Sequence, residues 1–214
     1  MSLLAHQQIL ELLKLGVVEN ARPEAINSAS LDLHLGKFIL VETLPVETKQ
    51  TGLPKIVSLK HKDSLCMTQI DLEREGHFLI RPGQFILAQT IEKFHLPLHI
   101  SAEYKLKSSM ARIGLEHLNA GWCDAGWRNS VLTLEFRNLT TFHEIELCYG
   151  DRIGQMVFFQ HDEVEYDNSY AVKGRYNGLN TVCPPIPDSA AAWKPAENPI
   201  ERPLLSPMPD VRKL

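Results

Sequence analysis

Short apolar runs that alternate with polar residues, each stopped by a turn dipeptide, recur along this chain, and that rhythm constrains its fold more than any other feature. The segment HFLIRPGQFILAQTIEKFHLP (77–97) carries two apolar runs around Pro82-Gly83 and a third ending at Pro97, which reads as a β meander. Residues 28–36 (SASLDLHLG) set Leu31, Leu33 and Leu35 against Asp32 and His34, the pattern of a half-buried strand. Residues 144–149 alternate again, Gly150-Asp151 turns the chain, and residues 152–159 give a further apolar strand. Many short strands with almost no long helix predict a mainly β fold, a distorted barrel or jelly roll.

Around this body the remaining segments are simpler. Leu4, Ile9, Leu12, Leu13 and Leu15 fall at helical spacing before Gly16, so a short N-terminal helix is expected to pack one face on the body. Residues 38–72, broken by Pro45, Gly52 and Pro54, are expected to form hairpins and a long loop. From Thr181 onward prolines crowd the chain. Residues 1–180 are therefore read as one domain and 181–214 as a proline-rich tail, extended, draped or disordered.

A formal charge of −4 argues against a nucleic-acid binder that relies on bulk positive charge, so any phosphate site must rest on a few local cations. The N-terminal segment is amphipathic with polar residues inside its apolar pattern, which fits neither a signal peptide nor a membrane span. Cys66, Cys123, Cys148 and Cys183 lack metal-site spacing. A cytoplasmic protein with reduced thiols and no protein-bound metal is expected.

The chemistry concentrates in residues 105–138, KLKSSMARIGLEHLNAGWCDAGWRNSVLTLEFRN. In VLTLEF, Leu132, Leu134 and Phe136 share one strand face and Val131, Thr133 and Glu135 the other. Glu135 is then either at a wet sheet edge or in a pocket, where a carboxylate can act as a proton acceptor. Upstream, Lys105, Lys107, Ser108, Ser109 and Arg112 put three cations and two hydroxyls into one short segment. That set suits phosphate oxygens, or it is an ordinary helix start with a serine cap. AGWCDAGW (120–127) reads as a tight turn in which Asp124 orients a ligand hydroxyl or a water, or only caps the turn. Trp122 and Trp127 are core, interface or stacking residues, and His117 is taken as a satisfied structural histidine.

In their order, SSMARIGL, HLNAGWCDAGW, LTLEF and GDRIGQMVF resemble the dCTP deaminase branch of the dUTPase-like superfamily, over roughly residues 3–180. The resemblance implies a dUTPase-like barrel or jelly-roll body, a homotrimer with active sites between subunits, and zinc-independent chemistry. It implies hydrolytic deamination of dCTP to dUTP and ammonia, supplying deoxyuridine nucleotides for dTTP synthesis. Glu135 would be the general base, with Ser108 and Arg112 holding the water and the transition state. Lys107 and Ser109 would face the triphosphate, accompanied by Mg2+ bound through the nucleotide itself. Met110, Ala111, Ala120, Asp124, Thr133, Leu134 and Gln155 would complete the substrate contacts, with Tyr166 near the nucleotide. RYNGL (175–179) is similar to the family's Lys-Tyr-x-Gly-Gln lid, which would place Arg175 by the phosphates and Leu179 at the lid's glutamine position.

The departures from that pattern are local. Lys107 stands where the family usually has Arg, Asn119 replaces a Thr in the loop tied to dTTP inhibition, one residue is missing between Leu115 and His117, and Leu179 cannot make the lid glutamine's hydrogen bond. AGWCD and Gln155 look more like the bifunctional type that gives dUMP and pyrophosphate, which is kept as the alternative. A nucleotide sensor without turnover is a second alternative. A plain dUTPase fits less well, because its tyrosine hairpin is replaced here by Gly126-Trp127.

Overall fold

A computed structural model describes residues 2–58 and 65–186 and is made chiefly of antiparallel strands. In chain order the elements are β1 (Ser2–Leu3), α1 (His6–Lys14), β2 (Val18–Glu19), β3 (Leu31–His34), β4 (Phe38–Glu42), α2 (Val46–Thr51), β5 (Met67–Asp71), α3 (Leu72–Glu75) and β6 (Phe78–Ile80). They continue with β7 (Phe85–His95), β8 (Ile100–Leu106), α4 (Ser108–Arg112), β9 (Leu115–His117), β10 (Trp122–Cys123), β11 (Arg128–Asn138), β12 (Ile145–Leu147), β13 (Arg152–Gln160) and α5 (Tyr170–Lys173). No helix among the described residues is long and apolar enough to cross a membrane.

Two sheets carry the body. In the first, β13 pairs with β8, which pairs with β10, while β1 and β3 line the other edge of β13. The second runs β5-β4-β7-β11-β9, with β2 beside β7. A single bridge, Leu35 to Thr90, ties β3 to β7 across the two sheets. Their inner faces meet in one core, where Leu31, Leu33, Ile86, Leu134, Phe136, Met156 and Phe158 are all fully buried. Removing one such aromatic, as in Phe136→Ala, costs about 3–5 kcal/mol in cores of this kind. Helix α1 follows the same logic on a smaller scale, burying Ile9 and Leu12 and turning its other face to solvent.

The mainly β expectation holds, and the described strands form two large open sheets and a two-stranded one, β6 with β12, without closing a barrel. The meander expected over 77–97 is not formed. Strand β6 pairs only with β12, whereas β7 joins the second sheet, so Pro82-Gly83 makes a corner between sheets. Its two flanking apolar runs meet different partners, which alternation within either run cannot reveal. The expected hairpins of 38–72 are only partly present, as α2 occupies Val46–Thr51 and 59–64 lie outside the described residues. Asp32, expected on a wet strand face, is 4 % exposed. Of the tail, 181–186 pack on the body and 187–214 lie outside the described residues.

Candidate active site

Strand β11 is eleven residues long, and its alternation sends Leu134 and Phe136 into the core and Thr133 and Glu135 to the opposite face. That outer face is not open sheet. It is roofed into a cavity of about 330 Å3 by residues 120–127, by α5 and by the chain from Tyr176 to Pro185. Phe85, Leu87, Trp122, Trp127, Val131, Tyr170, Tyr176, Leu179, Pro184 and Pro185 make the walls mainly apolar and aromatic. Among the acidic side chains on this lining are Asp124 and Glu135, and the Asp124 carboxylate already accepts a hydrogen bond from the Trp122 indole at 2.8 Å. Glu135 is the carboxylate set deeper, with its side chain 27 % exposed.

The inner end of Glu135 meets a histidine. Strand β9 pairs with β11 with His117 opposite Phe136, and this register brings His117 Nε2 to 3.4 Å from Glu135 Oε2. Both atoms are buried and neither has a hydrogen-bond partner. His117 is therefore not the satisfied structural histidine expected from sequence. Its ring is held between Tyr104, at 4.6 Å, and Phe136, at 5.9 Å between centroids. Tyr104 is itself pinned: its hydroxyl donates to the Ile153 carbonyl at 3.1 Å, and burial pushes its ionisation far above the ordinary range. Two glycines make room for it. A Cβ on Gly154 would stand 2.0 Å from the Tyr104 ring, and one on Gly121 would stand 2.6 Å from the Tyr104 carbonyl oxygen.

The Ser-Ser-x-x-Arg segment forms the five-residue helix α4 with Lys107 as its N-cap and no side-chain cap bond, so Ser108 and Ser109 do not serve as caps. Both are exposed, as are Ala111 and Arg112, whereas Met110 packs against the core. None of these residues lines the Glu135 cavity; Ala111 and Arg112 instead border an open depression with Gly114, Thr140 and Glu146. Lys107 turns toward β3, where Nζ donates to Asp32 Oδ1 at 2.6 Å. Asn27 donates to the same carboxylate at 2.8 Å, and Arg152 Nη1 lies 3.5 Å from it. Burial alone would raise the Asp32 carboxyl, but these bonds and charges outweigh it and hold it below the ordinary value. Gln155 lies opposite Asp32 on β13 and accepts a 3.3 Å hydrogen bond from the Ser30 hydroxyl.

The segment expected as a lid folds along β11 of its own chain. Trp127 Nε1 and the Ser130 hydroxyl donate to the Tyr176 carbonyl at 2.9 and 3.1 Å, and the Val131 amide donates to Leu179 O at 2.8 Å. Beyond it, the Val182 amide and the Thr181 hydroxyl donate to Gln89 Oε1, and the Val182 side chain is buried with Leu40 and Leu87. Leu179 lines the cavity. Arg175 does not; its guanidinium lies over Tyr176 and Nη1 is 3.5 Å from Ile186 O. Tyr166 is also off the lining, exposed in a 3-10 turn.

Of the residues singled out from sequence, the cavity thus gathers Glu135, Thr133, Ala120, Asp124 and Leu179. Leu134 is a correction, since strand alternation buries its side chain in the core, where it cannot touch a ligand in the cavity. Lys107, Ser108, Ser109, Met110, Ala111, Arg112, Gln155, Tyr166 and Arg175 are not brought to the cavity within one chain. The thiols of Cys123 and Cys183 line it, yet burial pushes both up and keeps them protonated, which leaves them poor nucleophiles. Among the described residues no group of three His, Cys, Asp or Glu is placed to hold a metal ion.

Comparison with known proteins supplies the kinship. A family model described as dCTP deaminase-like matches residues 3–161. A curated relative from Persephonella marina, named "dCTP deaminase, dUMP-forming", is 35 % identical over 153 residues, covering 72 % of this chain and 78 % of the relative. One of the same name from Aquifex aeolicus is 35 % identical over 185 residues, covering 85 % and 93 %. The crystal structure of 2'-deoxycytidine 5'-triphosphate deaminase from Agrobacterium tumefaciens shares the fold with a TM-score of 0.56 at 22 % identity. It matches 74 % of this chain and 48 % of its own, so this chain spans about half of that one's length. With a family model covering most of the strand-built body and relatives at this identity, the chain belongs to the dCTP deaminase-like family.

Proposed function

We propose that this protein converts dCTP to dUMP, ammonia and pyrophosphate, consuming two waters. The observation that carries the reading is Glu135, a carboxylate recessed in a largely apolar cavity roofed by the chain's own C-terminal segment. A pyrimidine ring suits such walls, and one carboxylate beside it can take a proton from water as the oxygen attacks C4. The proton then passes toward N3 and the departing amine, and the C4–N bond breaks as ammonia leaves. The names of the relatives favour the dUMP-forming reaction over the dUTP-forming one that the sequence reading put first. In the second step water displaces pyrophosphate at the α-phosphorus, and we assign Asp124, on the cavity wall, to orient that water.

Ser108, Arg112, Lys107 and Ser109 enter this scheme from a neighbouring copy. The exposure of Ser108, Ser109 and Arg112 on α4, with half-buried Lys107 at its N-cap, away from the Glu135 cavity of their own chain, supports a homotrimer with a site shared between subunits. There Arg112 and Lys107 meet the triphosphate, and the serine hydroxyls add hydrogen bonds. Magnesium, carried on the phosphates, offsets their charge.

The test is to incubate the purified protein with dCTP and magnesium and resolve the products over time. Ammonia, dUMP and pyrophosphate in equal amounts, without accumulating dUTP, is the expected result. Ammonia with stoichiometric dUTP restores the dUTP-forming reading, and nucleotide binding without any product points to a sensor.

A further inference from the structure

We propose that His117 is a positioning residue for Glu135, holding one carboxylate oxygen so that the carboxylate presents its other oxygen to the cavity. This rests on Glu135 being the base of the reaction proposed above. His117 is 7 % exposed, and its Nε2 is buried without a partner. Among the described residues the orphaned oxygen beside it is Glu135 Oε2 at 3.4 Å, near enough for an ion pair but without the alignment of a hydrogen bond. A buried donor and a buried acceptor that stay unpaired are both costly, so a small rotation that joins them is favoured. With the hydrogen on Nε2, the imidazole donates to Oε2 and leaves the other carboxylate oxygen to accept a proton. Once Glu135 has taken that proton on its cavity oxygen, Oε2 still accepts the same bond, so the side chain keeps its aim while it returns the proton.

The surroundings make His117 fit for aiming. Tyr104 and Phe136 clamp both sides of the ring, and Tyr104 is fixed in turn by the Ile153 carbonyl and the missing side chain of Gly154. The imidazole cannot swing away without breaking the tilted contact with Tyr104 and the edge contact with Phe136. In the other direction, the His117 carbonyl accepts the Asn119 amide at 2.7 Å, and Asn119 holds a positive φ of 59°, which starts the loop toward the cavity wall at Ala120. One residue thus joins the base to the loop that walls the cavity.

The test compares His117→Phe, which keeps an aromatic ring for these contacts but no donor, with His117→Gln, whose side-chain amide can reach the place of Nε2. Steady-state deamination of dCTP and thermal melts are measured for both, beside Glu135→Gln. The expected result is a kcat lower by about 10- to 100-fold in His117→Phe with KM within about twofold of the parent, and recovery of most of that loss in His117→Gln. Wild-type kcat in His117→Phe, while Glu135→Gln is inactive, overturns the positioning role and leaves the base intact. Equal losses in both histidine variants, tracking lowered melting temperatures, reduce His117 to a packing residue. Full activity of Glu135→Gln instead removes the reading on which the inference stands.

Discussion

Two strand carboxylates differ here because of what faces them. Asp32 is surrounded by donors, with Lys107, Asn27 and Arg152 all turned to it, and its carboxyl is held low despite burial. A carboxyl held low in the folded state adds stability above its unfolded value, near 3.8, and loses that contribution as the pH falls below it. Asp32→Asn should therefore cost about 1–3 kcal/mol at pH 7, and urea titrations at pH 7 and pH 3 should show the gap between variant and parent narrowing in acid. A gap that is constant with pH would mean that the pair contributes nothing through its charge. Among the described residues Glu135 has no such ring of donors and faces the mainly apolar cavity wall and His117. Its place could be read from sequence, because an alternating strand that carries a lone carboxylate opposite Leu134 and Phe136 must send it away from the core. His117 could not be read, since what matters is its register against β11, and nothing local to LEHL encodes that pairing. Leu134 fails for the opposite reason: family likeness pulls in sequence neighbours of Glu135, whereas the pleat sends alternate residues to opposite faces.

At the scale of elements, the C-terminal segment decides whether the cavity has a roof. It is held by main-chain bonds to β11 and by Val182, which fills an apolar socket between Leu40 and Leu87 beneath the Gln89 amide. Burying a valine contributes about 1.5–3 kcal/mol, enough to keep the segment down and little enough to release it. Val182→Asp should free it, seen as faster proteolytic cleavage between 176 and 186 and a higher KM for dCTP, with the melting of the strand body nearly unchanged. Cleavage at the parent rate would show that Val182 does not hold the segment. Strands were the most legible elements: β11, β12 and β13 follow their alternation, whereas β3 buries Asp32 along with its leucines. The corner at Pro82-Gly83 was not, because a turn dipeptide marks a change of direction without naming the partner strand. The docking of 181–186 was hidden in the same way by its prolines, which rule out ladder bonds but not an apolar contact by Val182.

For the whole molecule, the two-sheet body follows from the strand rhythm, while the division of the site does not. The Glu135 cavity and the α4 cluster lie in one stretch of sequence, yet they are presented in different places by each chain. If a trimer joins them, each cavity is completed by the α4 of a neighbour, and the 24.2 kDa chain should elute at three times that mass. The same arrangement makes the site divisible by genetics. Ammonia release from dCTP with magnesium is therefore best measured for the parent, for Glu135→Gln, for Arg112→Ala, and for the two variants unfolded and refolded together in equal amounts. Random mixing places an intact Glu135 against an intact Arg112 at about one site in four. The expected result is ammonia from the parent, none from either variant alone, and roughly a quarter of the parent rate from the mixture. Ammonia from Glu135→Gln alone at the parent rate would contradict the account.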